Sequence, residues 1–243
     1  MLNRRRALMA QGGTAENLYL NDILTLDGIK NTRSGHNASS TKWENLAGNS
    51  FDFAKTSASG DLLWGDDCLQ FDGASRRLYC NSGSILTAYP TITIELVFKP
   101  IGTPNGSSGG RYYGHIFQNG SGNMGASKNI TISQVDDMGI YVGVNNSVVY
   151  RRESGSSGNN VIKYWTIIIS PTGAKVYSGS TLVKETTTTW NASDASAYNY
   201  MGYNYTTAWY PDGNLYRFGI SSGAMTASEM GERRAFFKDR FNF

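Results

Sequence analysis

Alternating apolar and polar residues in short runs constrain the fold of this chain more than any other feature. In the run TITIELVF, apolar side chains occupy every second position from Ile92 to Phe98, with Thr93 and Glu95 among the residues between them. Because alternate residues of a β-strand share a face, this pattern predicts a half-buried strand. Proline lacks the N–H that a sheet needs, so we expect the strand to end at Pro100.

Several other runs have the same pattern. Gly139–Val144, Tyr164–Ser170 and Asn214–Ile220 are predicted strands, and Tyr164–Ser170 is largely apolar on both faces, which indicates a central position in a sheet. Ala174–Glu185 is typical of a β-hairpin that turns at Ser178–Ser180. The side chains expected on core faces are Ile140, Val142, Val144, Trp165, Ile167, Ile169, Tyr216, Phe218 and Ile220.

The segments between the predicted strands are rich in small polar residues. The chain has 28 glycines against 5 prolines, and segments such as GTPNGSSGG, NGSGNMGASKN and ESGSSGNN have the composition of loops. None of these loops has the strand-to-helix setting or the GK[ST] ending of a phosphate-binding loop. A nucleotide-phosphate site of that type is therefore not expected.

The C-terminal segment has a helical period instead. Thr226 followed three residues later by Glu229 is the sequence signature of a capping box. The residues that then fall on one helical stripe are Met230, Arg234, Phe237 and Phe241. Many strands followed by a single helix predict an all-β fold, an antiparallel jelly-roll β-sandwich with one short C-terminal helix.

The N-terminus is basic. Arg4–Arg6 precede an apolar run that extends only from Ala7 to Ala10, whereas a secretory signal needs about 7–15 apolar residues, so we do not expect one. No later stretch is long enough to insert into a membrane. We expect a basic arm over residues 1–16, either a flexible tail or an anchor on a partner, and one domain over residues 17–243. The formal net charge of +3 gives little reason to expect nucleic acid as a partner.

The sequence contains few residues that could bind a metal or carry out redox chemistry. If the segment between Cys68 and Cys80 forms a hairpin, the two thiols face each other, and we expect them to be reduced and to act as small apolar residues. With two histidines in the chain, a His-based metal site is not expected. Asp66–Asp67 and Asp136–Asp137 are the candidates for a Ca²⁺ site, but no Ca²⁺-loop spacing surrounds them and we favour turn capping. No cofactor is expected otherwise.

A catalytic carboxylate pair is not evident. Retaining glycosidases hold two carboxyls about 5–5.5 Å apart, which on a strand requires acidic residues at alternate positions, as in E-x-D. None of the seven glutamates begins this pattern. Glu95 is alone on its predicted strand, and Glu229 is explained as a helix cap. We therefore expect a protein without enzymatic activity.

Trp209 and Tyr210 are the main candidates for ligand binding. They precede the turn Pro211–Gly213, and large rings near a loop tip cost solubility unless they pack or bind. The CH faces of sugar rings stack on such side chains, while nearby polar groups take the hydroxyls. The predicted polar contacts are Asn204, Asp212 and Asn214, with Trp190 as a second aromatic candidate.

Five segments resemble a known family. They are Leu26–Asn49, Leu69–Cys80, Thr91–Pro100, Tyr164–Gly179 and Asn214–Met230. In this order they contain a W-x-[DN]-L-x-G element, an L-x-F-D-G strand, an ITIE strand, a W-x-x-I-I strand before a hairpin, and an L-Y-x-F-G-I strand before a capped helix. Together they resemble the concanavalin A-like lectin/glucanase superfamily, in its laminin G/pentraxin-like branch.

This resemblance implies two antiparallel sheets and, in many members, sugar or protein binding. The segment MLNRRRALMAQGG is also similar to the short arms that precede such domains in bacteriophage structural and tail proteins. It implies a noncatalytic virion protein, made in the bacterial host cytoplasm, that binds host-surface glycan. The alternative is a purely structural virion protein that decorates or joins subunits, with a neighbouring virion protein as its partner, and a glycoside hydrolase is the less favoured third alternative. Homo-oligomerisation is left open.

Overall fold

The structure is a computed structural model of the 243-residue chain. It describes residues 21–243 apart from residues 49, 58, 81–84, 109–110, 121–129, 137–138, 146, 152–159, 197 and 204–208. The predicted N-terminal arm lies outside the described residues. Two antiparallel sheets pack face to face, and a helix follows the last strand. The predicted all-β sandwich with one C-terminal helix is confirmed.

The regular elements follow one another in short succession. The strands are β1 (Asp22–Asp27), β2 (Lys42–Trp43), β3 (Phe53–Lys55), β4 (Leu63–Trp64), β5 (Leu69–Asp72), β6 (Leu78–Cys80), β7 (Ile92–Pro100), β8 (Gly106–Ser108), β9 (Arg111–Asn119), β10 (Ile130–Val135), β11 (Gly139–Val144), β12 (Ser147–Arg151), β13 (Lys163–Ser170), β14 (Gly173–Ser178), β15 (Thr181–Thr186), β16 (Asn199–Met201) and β17 (Asp212–Ser222). A 3-10 helix spans Ala192–Asp194, and the α-helix α1 spans Ala227–Phe241.

The first sheet has the strand order β15-β14-β13-β7-β17-β5-β4, with β1 also paired to β17. β13 is an interior strand, as its apolar faces predict, because it pairs with both β7 and β14. The predicted hairpin between β14 and β15 is present as well. It turns through Gly179 at a φ of 63°, a left-handed conformation that glycine adopts without steric cost.

The second sheet has the order β12-β11-β10-β9-β16-β6-β3-β2, with β8 also paired to β9. β5 and β6 therefore belong to different sheets and do not form the hairpin that the spacing of Cys68 and Cys80 suggested. Both cysteines are buried, and neither forms a disulfide. Cys68 lies in the apolar cluster beneath the helix, and Cys80 lies in the main core between the sheets.

The main core fills the space between the two sheets. Ile92, Ile94, Leu96 and Phe98 point into it from β7, so the alternation of the sequence is confirmed on this side. The side chains predicted for the core on β11 and β13 also lie there. Each fully buried aliphatic or aromatic side chain contributes about 1.5–3 kcal/mol relative to exposure.

Helix α1 begins at the predicted capping box. The Oγ1 atom of Thr226 accepts from the Glu229 N–H at 3.3 Å, and the Glu229 carboxylate accepts from the Thr226 N–H at 2.7 Å. The hydrogen bonds that the Thr226 N–H and hydroxyl donate to the Glu229 carboxylate lower the pKa of Glu229, because they favour its charged form. The helix ends at Asn242, which adopts a left-handed conformation.

Helix α1 covers the outer face of the first sheet. Phe237 and Phe241 pack against Val97, Tyr164 and Tyr216 in a second apolar cluster. β7 is therefore buried on both faces from Ile92 to Phe98, and the prediction of a half-buried strand is wrong. The alternate side of this strand carries Thr93, Glu95 and Val97, and tertiary packing rather than solvent covers it.

Two predicted faces are shifted by one residue. Tyr216 was expected in the core, but a bulge between Leu215 and Arg217 places Tyr216 under the helix, and Leu215 takes the core position. On α1, Arg233 is buried where the stripe predicted Arg234. Arg233 is held there by carboxylates, which the helical period alone does not reveal.

Four charged side chains are buried between α1 and the first sheet. Arg233 donates to Asp22 Oδ1 at 2.6 Å and to Glu95 Oε2 at 2.5 Å. Arg217 donates to the other Asp22 oxygen at 2.9 Å, and the Tyr164 hydroxyl donates to Glu95. Two cations and two carboxylates offset one another, which limits the cost of burying each of them. This network ties β1, β7 and β17 to the helix.

Candidate functional site

The two outer faces of the sandwich differ. The outer face of the first sheet lies under α1, whose aromatic side chains fill the cluster described above. On the second sheet the outward positions of β6, β9 to β11 and β16 carry aromatic rings and uncharged polar groups, and many of these are buried, among them Tyr113, Tyr141, Tyr200 and Tyr203. We call the outward side of this sheet the aromatic face; its rings are Tyr79, Tyr113, Tyr141, Tyr198, Tyr200, Tyr203 and Trp209.

Strand register determines which side chains share this face. Leu78, Cys80 and Met201 point into the core, so Tyr79 and Tyr200, which face each other across β6 and β16, point outward. The row continues to Gln118 on β9 and Thr131 on β10. A neighbouring row contains His115, Ser133 and Tyr141 on β9, β10 and β11.

Trp209 is held against the second of these rows. Its ring lies parallel to His115, with centroids 5.6 Å apart and an interplanar angle of 5°, and it also stacks on Tyr113 at 5.9 Å. Tyr113 in turn makes an edge contact with Tyr141 at 5.9 Å. A Cβ atom at Gly106 would lie 2.1 Å from Trp209 Cγ, so the absence of a side chain at this position admits the indole.

Backbone hydrogen bonds fix the segment around Trp209. The Trp209 carbonyl accepts from the His115 N–H at 3.0 Å. Asn105 Oδ1 accepts from the Tyr210 N–H at 2.7 Å, and Gln134 Oε1 accepts from the Asp212 N–H at 2.7 Å. The aromatic ring is thus presented by a preorganised segment, which reduces the entropy cost of binding.

A tyrosine cluster occupies the other side of the aromatic face. Tyr79 stacks on Tyr200 with centroids 5.1 Å apart and on Tyr198 at 6.3 Å. Tyr200 contacts Tyr203 edge-on at 5.2 Å, and the Arg77 guanidinium lies 5.1 Å from the Tyr203 centroid. Tyr198 is 44% exposed. This cluster therefore presents one accessible ring, Tyr198, while the cation lies over the buried Tyr203 ring.

His115 is buried beneath Trp209. Its Nδ1 atom lies 2.9 Å from Ser133 Oγ. Burial lowers the pKa of His115 from 6.5 to about 3, because the charged imidazolium is disfavoured away from water. At neutral pH this side chain is uncharged and supports the Trp209 ring by packing.

The structure brings some predicted site residues together and separates others. Trp209 and Tyr210 are half-buried at the aromatic face, and Asp212 begins β17 beside them. Burial, followed by the nearby charge of Asp72, raises the pKa of Asp212. Asn214 pairs with Lys99 on the outward side of the first sheet, near Tyr216. The prediction that Asn214 lies beside Trp209 is therefore wrong.

The remaining predicted contacts have two different outcomes. Trp190 is 1% exposed and belongs to the main core, which contradicts its proposed ligand contact, since a core ring presents no face to solvent. Asn204 lies outside the described residues. Sequence reasoning also missed Tyr79 and Tyr113 as neighbours of the site. Each is outward in the alternation of its strand, but pairing between distant strands is needed to place them together.

Asp136, one of the candidate Ca²⁺ ligands, already has other partners. Asp136 Oδ1 accepts from the Tyr112 N–H at 2.9 Å, and Asp136 also pairs with Arg111 at 3.4 Å. Asp137 lies outside the described residues. Within the described part of the chain, no group of three or more His, Cys, Asp or Glu side chains has the geometry of a metal site.

The helix described here is not long and apolar enough to cross a membrane.

Comparison with known proteins identifies the fold. No protein-family model and no curated protein sequence matches the chain. The structure is similar to that of Trypanosoma rangeli sialidase in complex with sialic acid, with a TM-score of 0.63, 14% identity, and 89% of this chain and 33% of that chain covered. A covalent-intermediate structure of the same enzyme with 2,3-difluorosialic acid gives a TM-score of 0.63 at 12% identity, covering 88% and 33%.

A toxin structure is also similar. It is a structure of botulinum neurotoxin type C, whose cell entry depends on interaction with two ganglioside molecules. The TM-score is 0.62 at 12% identity, with 92% of this chain and 53% of that chain covered. The chain thus spans about a third of the sialidases and about half of the toxin chain. At these identities the likeness shows a shared β-sandwich fold.

The expectation of a protein without enzymatic activity is contradicted by this comparison, because the similar structures include sialidases. The expectation rested on the absence of alternate carboxylates. That test is too narrow, since sialidases use a tyrosine nucleophile and are exceptions to the two-carboxylate scheme.

Proposed function

We propose that this domain binds glycans through the aromatic face of its second sheet and serves as an adhesion module of a bacteriophage particle. One observation carries the glycan-binding part: of the rings on the outward side of the second sheet, Tyr198 is 44% exposed and Tyr79 and Trp209 are half-buried, so these three present surface to a ligand. Flat rings beside hydrogen-bonding groups suit the apolar CH faces and hydroxyls of sugars. The similar structures of a sialidase with sialic acid and of a ganglioside-dependent toxin support this function.

The phage assignment rests on the N-terminal sequence resemblance. Under this proposal the protein is made in the bacterial host cytoplasm and assembled into the virion. Residues 1–16 attach it to a neighbouring virion protein, and the aromatic face meets the host surface.

A structural role in the particle is the second candidate. β12 and β15 are the outermost strands of their sheets and contact each other. On this edge Val148 and Leu182 are 56% and 44% exposed. Exposed apolar side chains on edge strands favour contact with another protein. This edge suits a subunit that joins neighbours in a virion.

A glycan array with matched tyrosine variants tests the proposal. Tyr198→Ala removes an exposed ring whose described ring contact is with Tyr79, so we expect binding to weaken about fivefold, the lower end of the range for a stacked ring. Tyr177→Ala is the control, because Tyr177 lies on β14 in the first sheet; binding should stay at the wild-type level. Thermal melting of both variants verifies that they are folded.

Two results would contradict the glycan function. One is a folded wild-type protein that binds no glycan on arrays of bacterial surface polysaccharides. The other is equal weakening by Tyr198→Ala and Tyr177→Ala. If glycan binding fails while Val148→Asp prevents incorporation into particles, the structural role is the correct one.

A further inference from the structure

Exposed apolar side chains gather at one end of the sandwich. Of the seven large hydrophobic side chains that are exposed in the described part of the chain, three lie at this end: Ile101, Tyr112 and Val161, which are 47%, 49% and 52% exposed. The half-buried Asp212, which begins β17, lies beside them. We call these four residues the end surface. Apolar side chains grouped in this way favour contact with another chain.

Backbone hydrogen bonds bring three members of the end surface together. The Ile101 N–H donates to the Asp212 carbonyl at 3.1 Å. The Asn160 N–H donates to the Pro100 carbonyl at 2.9 Å, which places Val161 beside Ile101. The segment after β7 is thus held between the start of β17 and the segment before β13.

A buried glutamine connects the fourth member. Gln134 Oε1 accepts from the Asp212 N–H and Gln134 Nε2 donates to the Gly102 carbonyl, both at 2.7 Å. Gln134 Nε2 also donates to the Asp136 carbonyl at 3.2 Å, and the Asp136 N–H donates to the Tyr112 carbonyl at 2.8 Å. The end surface is therefore preorganised, which reduces the entropy cost of binding a partner.

The carboxylate of Asp212 has a neighbour of the same charge. Its partner across β5 and β17 is Asp72, which accepts from the Ser75 N–H at 3.0 Å and pairs with Arg76 at 3.4 Å. Among the residues that the structure describes, no arginine or lysine forms an ion pair with Asp212. Burial and the charge of Asp72 raise the pKa of Asp212, because both disfavour the ionised form. A cation brought to this carboxylate offsets both effects.

The described chain begins at the opposite end of the sandwich. Asp22 at the start of β1 pairs with Ser221 near the end of β17, whereas Asp212 begins β17. The nine residues from Asp212 to Ser221 correspond to roughly 30 Å of extended strand. The N-terminal segment therefore joins the domain about one strand length away from the end surface.

The sequence of that segment is complementary to the end surface. Arg4–Arg6 are followed by the apolar run Ala7–Ala10. Guanidinium groups bind carboxylates in a bidentate manner and stack on aromatic rings, so Asp212 and Tyr112 are suitable partners for them. The apolar run suits the exposed side chain of Ile101 and its neighbour.

We propose that residues 4–10 of one copy of this chain bind the end surface of a second copy and thereby join copies head to tail. Docking on the same copy requires the segment to extend along the whole sandwich, at a cost in conformational entropy. A neighbour stacked end to end brings the two surfaces together without that extension. Such an interface is heterologous and produces a ring or a filament. The inference rests on the attachment role proposed above for residues 1–16 and names its partner.

Self-association of the full chain tests this inference. Sedimentation velocity over a broad range of protein concentrations should show assembly that increases with concentration. The arginine variant, with glutamine at all three positions of Arg4–Arg6, should weaken association at least about tenfold. The end-surface variant, Ile101→Asn with Asp212→Asn, should weaken it by a similar factor, because it removes an apolar contact and an ion pair. Glu232→Gln, which removes a charge from an exposed position of α1, is the control and should change nothing. Thermal melting verifies that each variant is folded.

A mixture of the two variants tests the head-to-tail arrangement directly. The arginine variant retains a normal end surface, and the end-surface variant retains its arginines. At a concentration where each variant alone is monomeric, the mixture should therefore form a one-to-one complex. A symmetric interface, to which both copies contribute the same residues, does not give this result.

The inference is overturned if the full chain is monomeric at every concentration, if Glu232→Gln weakens association as much as the end-surface variant, or if the mixture forms no complex. A monomeric full chain whose arginine variant fails to enter particles keeps the attachment role and assigns it to a different virion protein. Normal incorporation of the arginine variant instead rejects the attachment role itself. Glycan binding, measured with Tyr198→Ala, is independent of these outcomes.

Discussion

Replacing Trp209 by alanine should lower the stability of the domain by about 3 kcal/mol. The ring is half-buried, so roughly 100 Å² of apolar surface is lost, which corresponds to about 2.5 kcal/mol at 25 cal/mol per Å². Loss of the stacking on His115 and Tyr113 adds about 0.5–1.5 kcal/mol. The backbone hydrogen bonds to this segment persist, because they do not involve the indole.

Thermal unfolding measures this loss directly. For a domain of this size, about 3 kcal/mol corresponds to a decrease in Tm of roughly 6–12 °C. Trp209→Phe retains a stacking ring and should recover more than half of the loss. Trp190→Ala, in the main core, should cost more, about 3–5 kcal/mol, as expected for a large-to-small core substitution.

The same variant should also lose glycan binding, because Trp209 belongs to the aromatic face and orders its neighbours. An unchanged Tm for Trp209→Ala would refute the packing of this ring against His115 and Tyr113. An unchanged affinity at a lowered Tm would show that the ring supports the fold without contributing to the site.

Two further predictions concern buried ionisable side chains. Arg233→Met leaves the carboxylates of Asp22 and Glu95 without this partner and should cost about 3–5 kcal/mol in urea unfolding; Arg234→Met is the control and should change stability little. His115 is neutral when folded, with a pKa of about 3 against 6.5 for its ordinary value. Because the unfolded chain then binds a proton that the folded chain does not, stability should fall as pH decreases from 6.5 towards 3, by about 1.4 kcal/mol per pH unit. His115→Asn should flatten this dependence between pH 7 and 5, and an unaltered slope would contradict the assigned origin.

The sequence by itself determined the local structure of this protein. Alternation along Ile92–Phe98, the hairpin around Gly179 and the capping box at Thr226 all depend on residues close in the chain. Their physical causes are short-range: the two-residue period of a strand, the conformational freedom of glycine, and the hydrogen bonds of a helix terminus. The strand, the hairpin and the helix start were therefore predicted correctly from the pattern, whereas the half-burial expected of the strand was not.

The tertiary structure decided which faces are covered and which residues meet. The helix buries the second side of β7, a bulge moves Tyr216 out of the core, and the pairing of β5 and β6 with different sheets separates Cys68 from Cys80. In each case the outcome depends on a partner that is distant in sequence.

The candidate site shows the same division. Trp209 was recognised from its position beside a turn, but only the tertiary structure shows that Tyr113 stacks on it and that Tyr79 lies on the same side of the second sheet. A strand pattern specifies which residues share a side, and it does not specify which other strand lies alongside. The pairing of β6, β16 and β9 follows from packing the whole core, and that pairing creates the aromatic face.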